Sequence, residues 1–188
     1  MTPALILIIV LIGAGVIFAF FAIGLYNNLQ RRKIAADTAW SDVDVQLKRR
    51  YDLIPNLVNT VKGYATHEKG TLEAVIAARQ GAIDAKGVAQ QAQAENMLTQ
   101  TLGKLFALSE AYPDLKANQN FMGLQEELTS TENKIGFARQ NFNRNVSQYN
   151  EAIAVFPGNI VAGMFNFRSM EFFELGDQAQ REAPKVAF

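Results

Sequence analysis

Apolar residues fill positions 4–25 without interruption, and no charged side chain occurs before Arg31, Arg32 and Lys33. About 22 residues rising ~1.5 Å each make a helix of roughly 33 Å, enough to cross a ~30 Å hydrocarbon core. Beyond the run the pattern turns periodic. Over residues 34–64, Trp40, Leu47, Ile54 and Val61 recur every seven positions, with Val43, Leu57 and Tyr64 at the companion heptad position. This spacing predicts a helix burying one stripe. The helix either starts at a cap, Asp37 or Ser41, or continues directly from the span. Pro55 sits inside the pattern without changing its phase, so one kinked helix is expected. Arg50 shares the companion position, which calls for snorkelling or a buried carboxylate partner such as Glu132.

Three further helices are predicted. Residues 67–81 carry Leu72, Val75, Ile76 and Arg79, with Thr66 as the N-cap and the loop chemistry of residues 81–87 as the stop. Residues 88–111 carry Leu98, Leu102, Leu105, Phe106 and Leu108, and Tyr112-Pro113-Asp114 ends them. The fourth helix is the most regular, with Phe121, Leu128, Ile135, Phe142, Tyr149 and Phe156 seven residues apart. Leu124, Ala138 and Ala152 accompany them, with Thr131 and Asn145 as polar members that can set register. Pro157 and Gly158 are expected to end it.

The predicted architecture is all-α: an N-terminal transmembrane helix followed by an antiparallel up-and-down four-helix bundle of long helices. Residues 1–30 form the N-terminal tail and span, 31–156 the bundle, and 157–188 a Phe-rich C-terminal tail. Up-and-down connectivity returns the end of the fourth helix to the bilayer. Phe156, Phe165, Phe167, Phe172 and Phe173 are therefore a candidate interaction surface, docked on the membrane, on a neighbouring subunit or back on their own bundle.

The apolar run is too long for a signal peptide, lacks a basic start and has Phe18, Phe20 and Phe21 near its end, so an uncleaved anchor is expected. The basic trio sets its orientation, with a short N-terminus outside and the helical body on the cytoplasmic side of the bacterial inner membrane. Arg31, Arg32 and Lys33 are the membrane-interface residues, and each adds ~1 kcal/mol if it meets anionic lipid. The chain has 18 basic and 18 acidic residues and no net charge, which gives no electrostatic case for nucleic acid. Cysteine is absent, which excludes disulfides, thiolate chemistry and lipid attachment through sulfur. His67-Glu68 resembles half of a zinc-protease helix, but position 71 is Thr, and one His cannot supply the usual zinc set. No catalytic, cofactor-binding or metal residue is assigned. Lys48, Arg49 and Arg50, flanked by Asp42, Asp44 and Asp52, read as a solvated or salt-bridged face. Asn141, Asn143, Asn145 and Asn150 read as interhelix and surface positions.

Residues 39–58, AWSDVDVQLKRRYDLIPNLV, resemble the signature of the LemA family. Val61-Lys62-Gly63-Tyr64 with His67-Glu68, Ala78-Arg79, Glu110-Ala111-Tyr112-Pro113-Asp114, Thr131-Glu132-Asn133, Ala138-Arg139, Tyr149-Asn150, and Phe156-Pro157 with Asn159-Ile160-Val161-Ala162 extend the likeness. The resemblance implies a membrane helix, a bundle of long helices and a cytoplasmic body. It also implies, through a relative associated with bacterial magnetosome membranes, a membrane-organising role by analogy. The expected function is non-enzymatic: a membrane-associated scaffold that contacts the lipid bilayer and forms homo-oligomers. The alternative is a regulatory or accessory subunit of a larger membrane machine, with an unidentified membrane protein as partner.

Overall fold

A computed structural model describes residues 3–65 and 67–174. The expected cap Thr66 and the end of the Phe-rich tail lie outside them. Every regular element among the described residues is helical: α1 (Pro3–Lys62), α2 (Lys69–Asp84), α3 (Val88–Ser109), α4 (Pro113–Lys116), α5 (Gln119–Ala154) and α6 (Gly158–Met164).

The apolar run and the first body helix are one element. No glycine or proline stands between residues 25 and 54, so no strong helix breaker falls where the apolar run gives way to the basic trio. α1 also continues through Pro55. Loop chemistry acts later than expected at the end of α2, which carries Gly81 inside it and stops at Asp84. Gly87 then precedes α3 with φ 82°, a left-handed conformation open to glycine at no steric cost. Pro113 occupies the first turn of α4, where its missing N–H is no loss. The side chain of Asn118 accepts a hydrogen bond from the Phe121 N–H at 3.0 Å and so caps α5. The fourth predicted helix does end just before Pro157 and Gly158, and a further short helix follows. α5 stops at Ala154, and α6 begins at Gly158.

The chain divides into two compact units. One comprises the described residues within Met1–Trp40 and Asn141–Met170. Its core gathers Leu29, Val161 and Ala162, with Leu25, Tyr26, Ala152, Ile153 and Phe167 packed against them. Trp40 meets Phe142 with ring centroids 5.1 Å apart. Arg32 donates to the Gln148 carbonyl at 3.3 Å. Tyr149 is buried, and its hydroxyl donates to the Arg168 carbonyl at 2.9 Å.

The other unit comprises the described residues within Ser41–Gln140 and Glu171–Phe188. Its core holds the α1 stripe of Val43, Leu47, Ile54, Leu57 and Val61, Leu72 and Val75 of α2, Leu98, Leu102 and Leu105 of α3, Leu115 of α4, and Phe121, Leu128 and Ile135 of α5. The heptad readings of α1 and α5 thus name the core. Tyr64 departs from its stripe and is exposed, as α1 has ended at Lys62. Phe156, two residues past α5, is likewise exposed.

Candidate functional site

Apolar stripes leave no room for an unpartnered charge, yet Arg50 lies on one and is only 3% exposed. Its guanidinium is held on three sides. Nη1 lies 3.1 Å from Glu95 Oε2 and 3.1 Å from Glu132 Oε2. Nη2 donates to Thr99 Oγ1 at 2.7 Å. Three helices, α1, α3 and α5, therefore meet at one cation.

Glu95 is 2% exposed and accepts from two more groups. The Tyr51 hydroxyl donates to Oε1, and Gln91 Nε2 lies 3.1 Å from the same oxygen. Gln91 Nε2 also lies 2.9 Å from the Tyr51 hydroxyl and 3.0 Å from the Ala82 carbonyl. Arg79 of α2 donates to the Tyr51 carbonyl at 2.7 Å, which brings the fourth helix into the cluster. Burial pushes the Glu95 carboxyl above its ordinary value, while the Tyr51 hydrogen bond and the Arg50 charge pull it down. Burial, then the Glu95 hydrogen bond and charge, push the Tyr51 hydroxyl up, so it stays protonated and keeps its role as donor.

A cavity of about 230 Å³ opens beside the cluster, lined in part by Arg50, Thr99, Leu102, Phe106, Leu128 and Glu132. Arg50 lines it with both terminal nitrogens paired, Nη1 with Glu95 and Glu132 and Nη2 with Thr99. The chemistry supported here is structural: a buried ion cluster that selects one register among helices.

The Arg50–Glu132 pair anticipated from the sequence is present, but Glu132 is the more exposed of the two carboxylates at Arg50. Glu95, Gln91, Thr99 and Tyr51 escaped sequence reading. The signal was there: Glu95 stands seven residues before Leu102, and Gln91 seven before Leu98, so both lie on the apolar stripe of α3. Arg49 leaves the buried cluster for an exposed pair with Glu127 at 2.7 Å. His67 is exposed, and no group of three His, Asp or Glu side chains suited to a metal occurs among the described residues.

A second site gathers at the end of the apolar run. None of the run's most apolar window is buried, unlike the core helix of a soluble protein. Where the run ends, Tyr26 meets Phe165 in a tilted contact and Phe167 edge-on, at centroid distances of 4.8 and 5.6 Å. Arg31 and Lys33 are exposed, and Arg32 is pinned by Asn28 Oδ1 at 2.9 Å. The five phenylalanines differ in exposure. Phe156 and Phe165 are exposed, and Phe167 is half-buried beneath Tyr26. Phe172 and Phe173 belong to the other unit, where Phe172 is exposed and Phe173 is fully buried. Periodicity could not separate them, because residues 165–173 follow no helix.

An N-terminal helix apolar enough to cross a membrane, joined without a break to an all-helical body knit by buried polar contacts, defines the class. Residues 39–188 match the model of the LemA family, and the chain belongs to that family. It is 25% identical over 163 residues to Protein LemA of Metamycoplasma hominis, covering 86% of this chain and 74% of that protein. It is 24% identical over 174 residues to Magnetosome protein MamQ of Magnetospirillum gryphiswaldense, and 25% identical over 176 residues to Magnetosome protein MamQ 2 of Paramagnetospirillum magneticum. Each of these two alignments covers 79% of this chain but only 64% of the relative.

Proposed function

We propose that this chain is a non-enzymatic, single-pass membrane scaffold that displays a helical body on the cytoplasmic face of a bacterial inner membrane and acts as a homo-oligomer. One observation carries the reading: the exposed apolar run is the first part of α1, and the remainder of the same helix is built into packed cores. A helix that is half lipid-suited and half core joins the body to the bilayer through one continuous element. The basic trio supports a cytoplasmic body. The relatives named as magnetosome proteins fit a membrane setting.

An antiparallel bundle is the finer fold reading. As α1 numbers rise, α5 partners fall: Arg32 meets Gln148 and Trp40 meets Phe142 in one unit, and in the other Arg49 meets Glu127 while Tyr64, just past α1, meets Asn118, just before α5. The absence of enzymatic activity is inferred from Arg50 and Glu95, whose charged groups are buried and paired with one another.

Crosslinking mass spectrometry on native membranes tests the scaffold. Crosslinks between copies of the chain are expected to dominate. A single foreign membrane protein returned in their place would make the chain an accessory subunit instead.

A further inference from the structure

We propose that α6 and its flanks form a membrane-inserted foot, in which Val155, Phe156, Ile160, Met164 and Phe165 lie in the lipid interface beside the end of the span. This rests on the anchored reading above and adds a second, non-spanning contact with the same bilayer.

Position comes first. α6 is fixed against the anchor helix by Val161 and Ala162, which pack with Leu25, Tyr26 and Leu29. Leu25 is the last residue of the apolar run, and Leu29 lies only about 6 Å further along the helix at ~1.5 Å per residue. Whatever depth the anchor takes, α6 sits at its lipid–water boundary. The C-terminus of α6 is fixed as well. Asn166 adopts φ 57° and the Phe167 N–H reaches back to the Ala162 carbonyl at 2.9 Å, a left-handed helix stop. That stop turns Phe165 and Phe167 onto Tyr26.

Chemistry comes second. With Val161 and Ala162 facing the anchor, Ile160 and Met164, one helical turn apart, face away and are 55% and 75% exposed. Phe156 is 78% exposed, and Val155 and Phe165 are at least half exposed. No charged residue occurs between Glu151 and Arg168, while Arg31, Lys33 and Arg168 stand exposed at the edges. Large apolar side chains rimmed by cations at headgroup depth are what an interfacial helix presents to phospholipid. The shared depth with an existing lipid contact favours lipid over a protein partner.

The chain contains no cysteine, so a single introduced one reports one position. The full chain, carrying Ile160→Cys or Met164→Cys labelled with an environment-sensitive dye, is reconstituted into vesicles of zwitterionic and anionic phospholipid. Ile12→Cys serves as the anchor reference and Met97→Cys, on the exposed face of α3, as the water reference. At 160 and 164 the emission is expected to shift to the blue, to be quenched by lipid bearing a nitroxide below the headgroup, and to resist aqueous iodide. Quenching by iodide without quenching by nitroxide lipid would overturn the proposal, as would resistance to both, which means cover by a second copy. Lipid quenching at Ile12 with none at 160 and 164 sinks the foot alone. Loss of quenching at Ile12 as well sinks the anchor and the foot with it.

Discussion

A single arginine decides how one unit of this protein holds together. Removing one member of a buried pair leaves the other desolvated and alone, at a cost of about 3–5 kcal/mol, whereas replacing both with apolar groups can be neutral. Arg50→Ala is therefore expected to destabilise the full chain in detergent by about that much, and Arg50→Met combined with Glu95→Leu to recover most of the loss. Urea unfolding of the two variants checks this, and equal loss in both would refute the pairing. Acid–base behaviour follows from the same burial. The Glu95 carboxyl titrates above its ordinary 4.5, so between those values the folded chain binds more proton than the unfolded one. Its contribution to stability is complete below 4.5 and is lost as pH rises through the raised value. The gap in melting temperature between the native chain and Glu95→Gln should accordingly shift against the native chain as pH climbs through that window. A pH-independent gap would contradict it. Arg50 was legible as an anomaly in a stripe, but which carboxylate met it was not. Glu95 and Glu132 lie on different helices, and only packing ranks them.

Element boundaries are set by backbone chemistry that sequence shows well in some places and poorly in others. The seven-residue repeats of α1 and α5 located their core faces, since apolar side chains a heptad apart must share one side of a helix. The corner between α5 and α6 was harder to read. Pro157-Gly158 follows the end of α5 as expected, but it is also a corner after which helix resumes. Gly158 is buried there, and a Cβ at this position would lie 2.2 Å from the Ala152 carbonyl oxygen. Backbone atoms cannot rotate away as a side chain can. Gly158→Ala is expected to cost about 1–3 kcal/mol and to loosen α6 from Leu25 and Leu29. Hydrogen exchange over residues 158–167 would report it as faster exchange confined to that segment. Unchanged exchange and an unchanged melting temperature would show that the corner has slack.

At the scale of the whole molecule, the anchor matters most. If the apolar run spans a bilayer as proposed, the uninterrupted α1 leaves no loop between lipid and body for cleavage or reorientation. Protease added to the outside of spheroplasts is expected to leave the body intact, and protease added to inverted vesicles to digest it. Digestion from outside would reverse the orientation. Membership of the LemA family covers the body from residue 39 onward and leaves the apolar run to be argued from its own physics.

What the sequence determined alone is whatever depends on periodicity and local composition: a lipid-length apolar helix, an all-helical body and the stripes that face its cores. These are properties of neighbours three, four and seven residues apart, so no tertiary information is needed to see them. Tertiary structure alone decided which partners meet. It paired Arg50 with Glu95 across 45 positions, buried Phe173 while exposing Phe156, and set α6 against the end of the span. Such contacts depend on the azimuth and depth at which helices pack, and residues far apart in the chain carry no record of either.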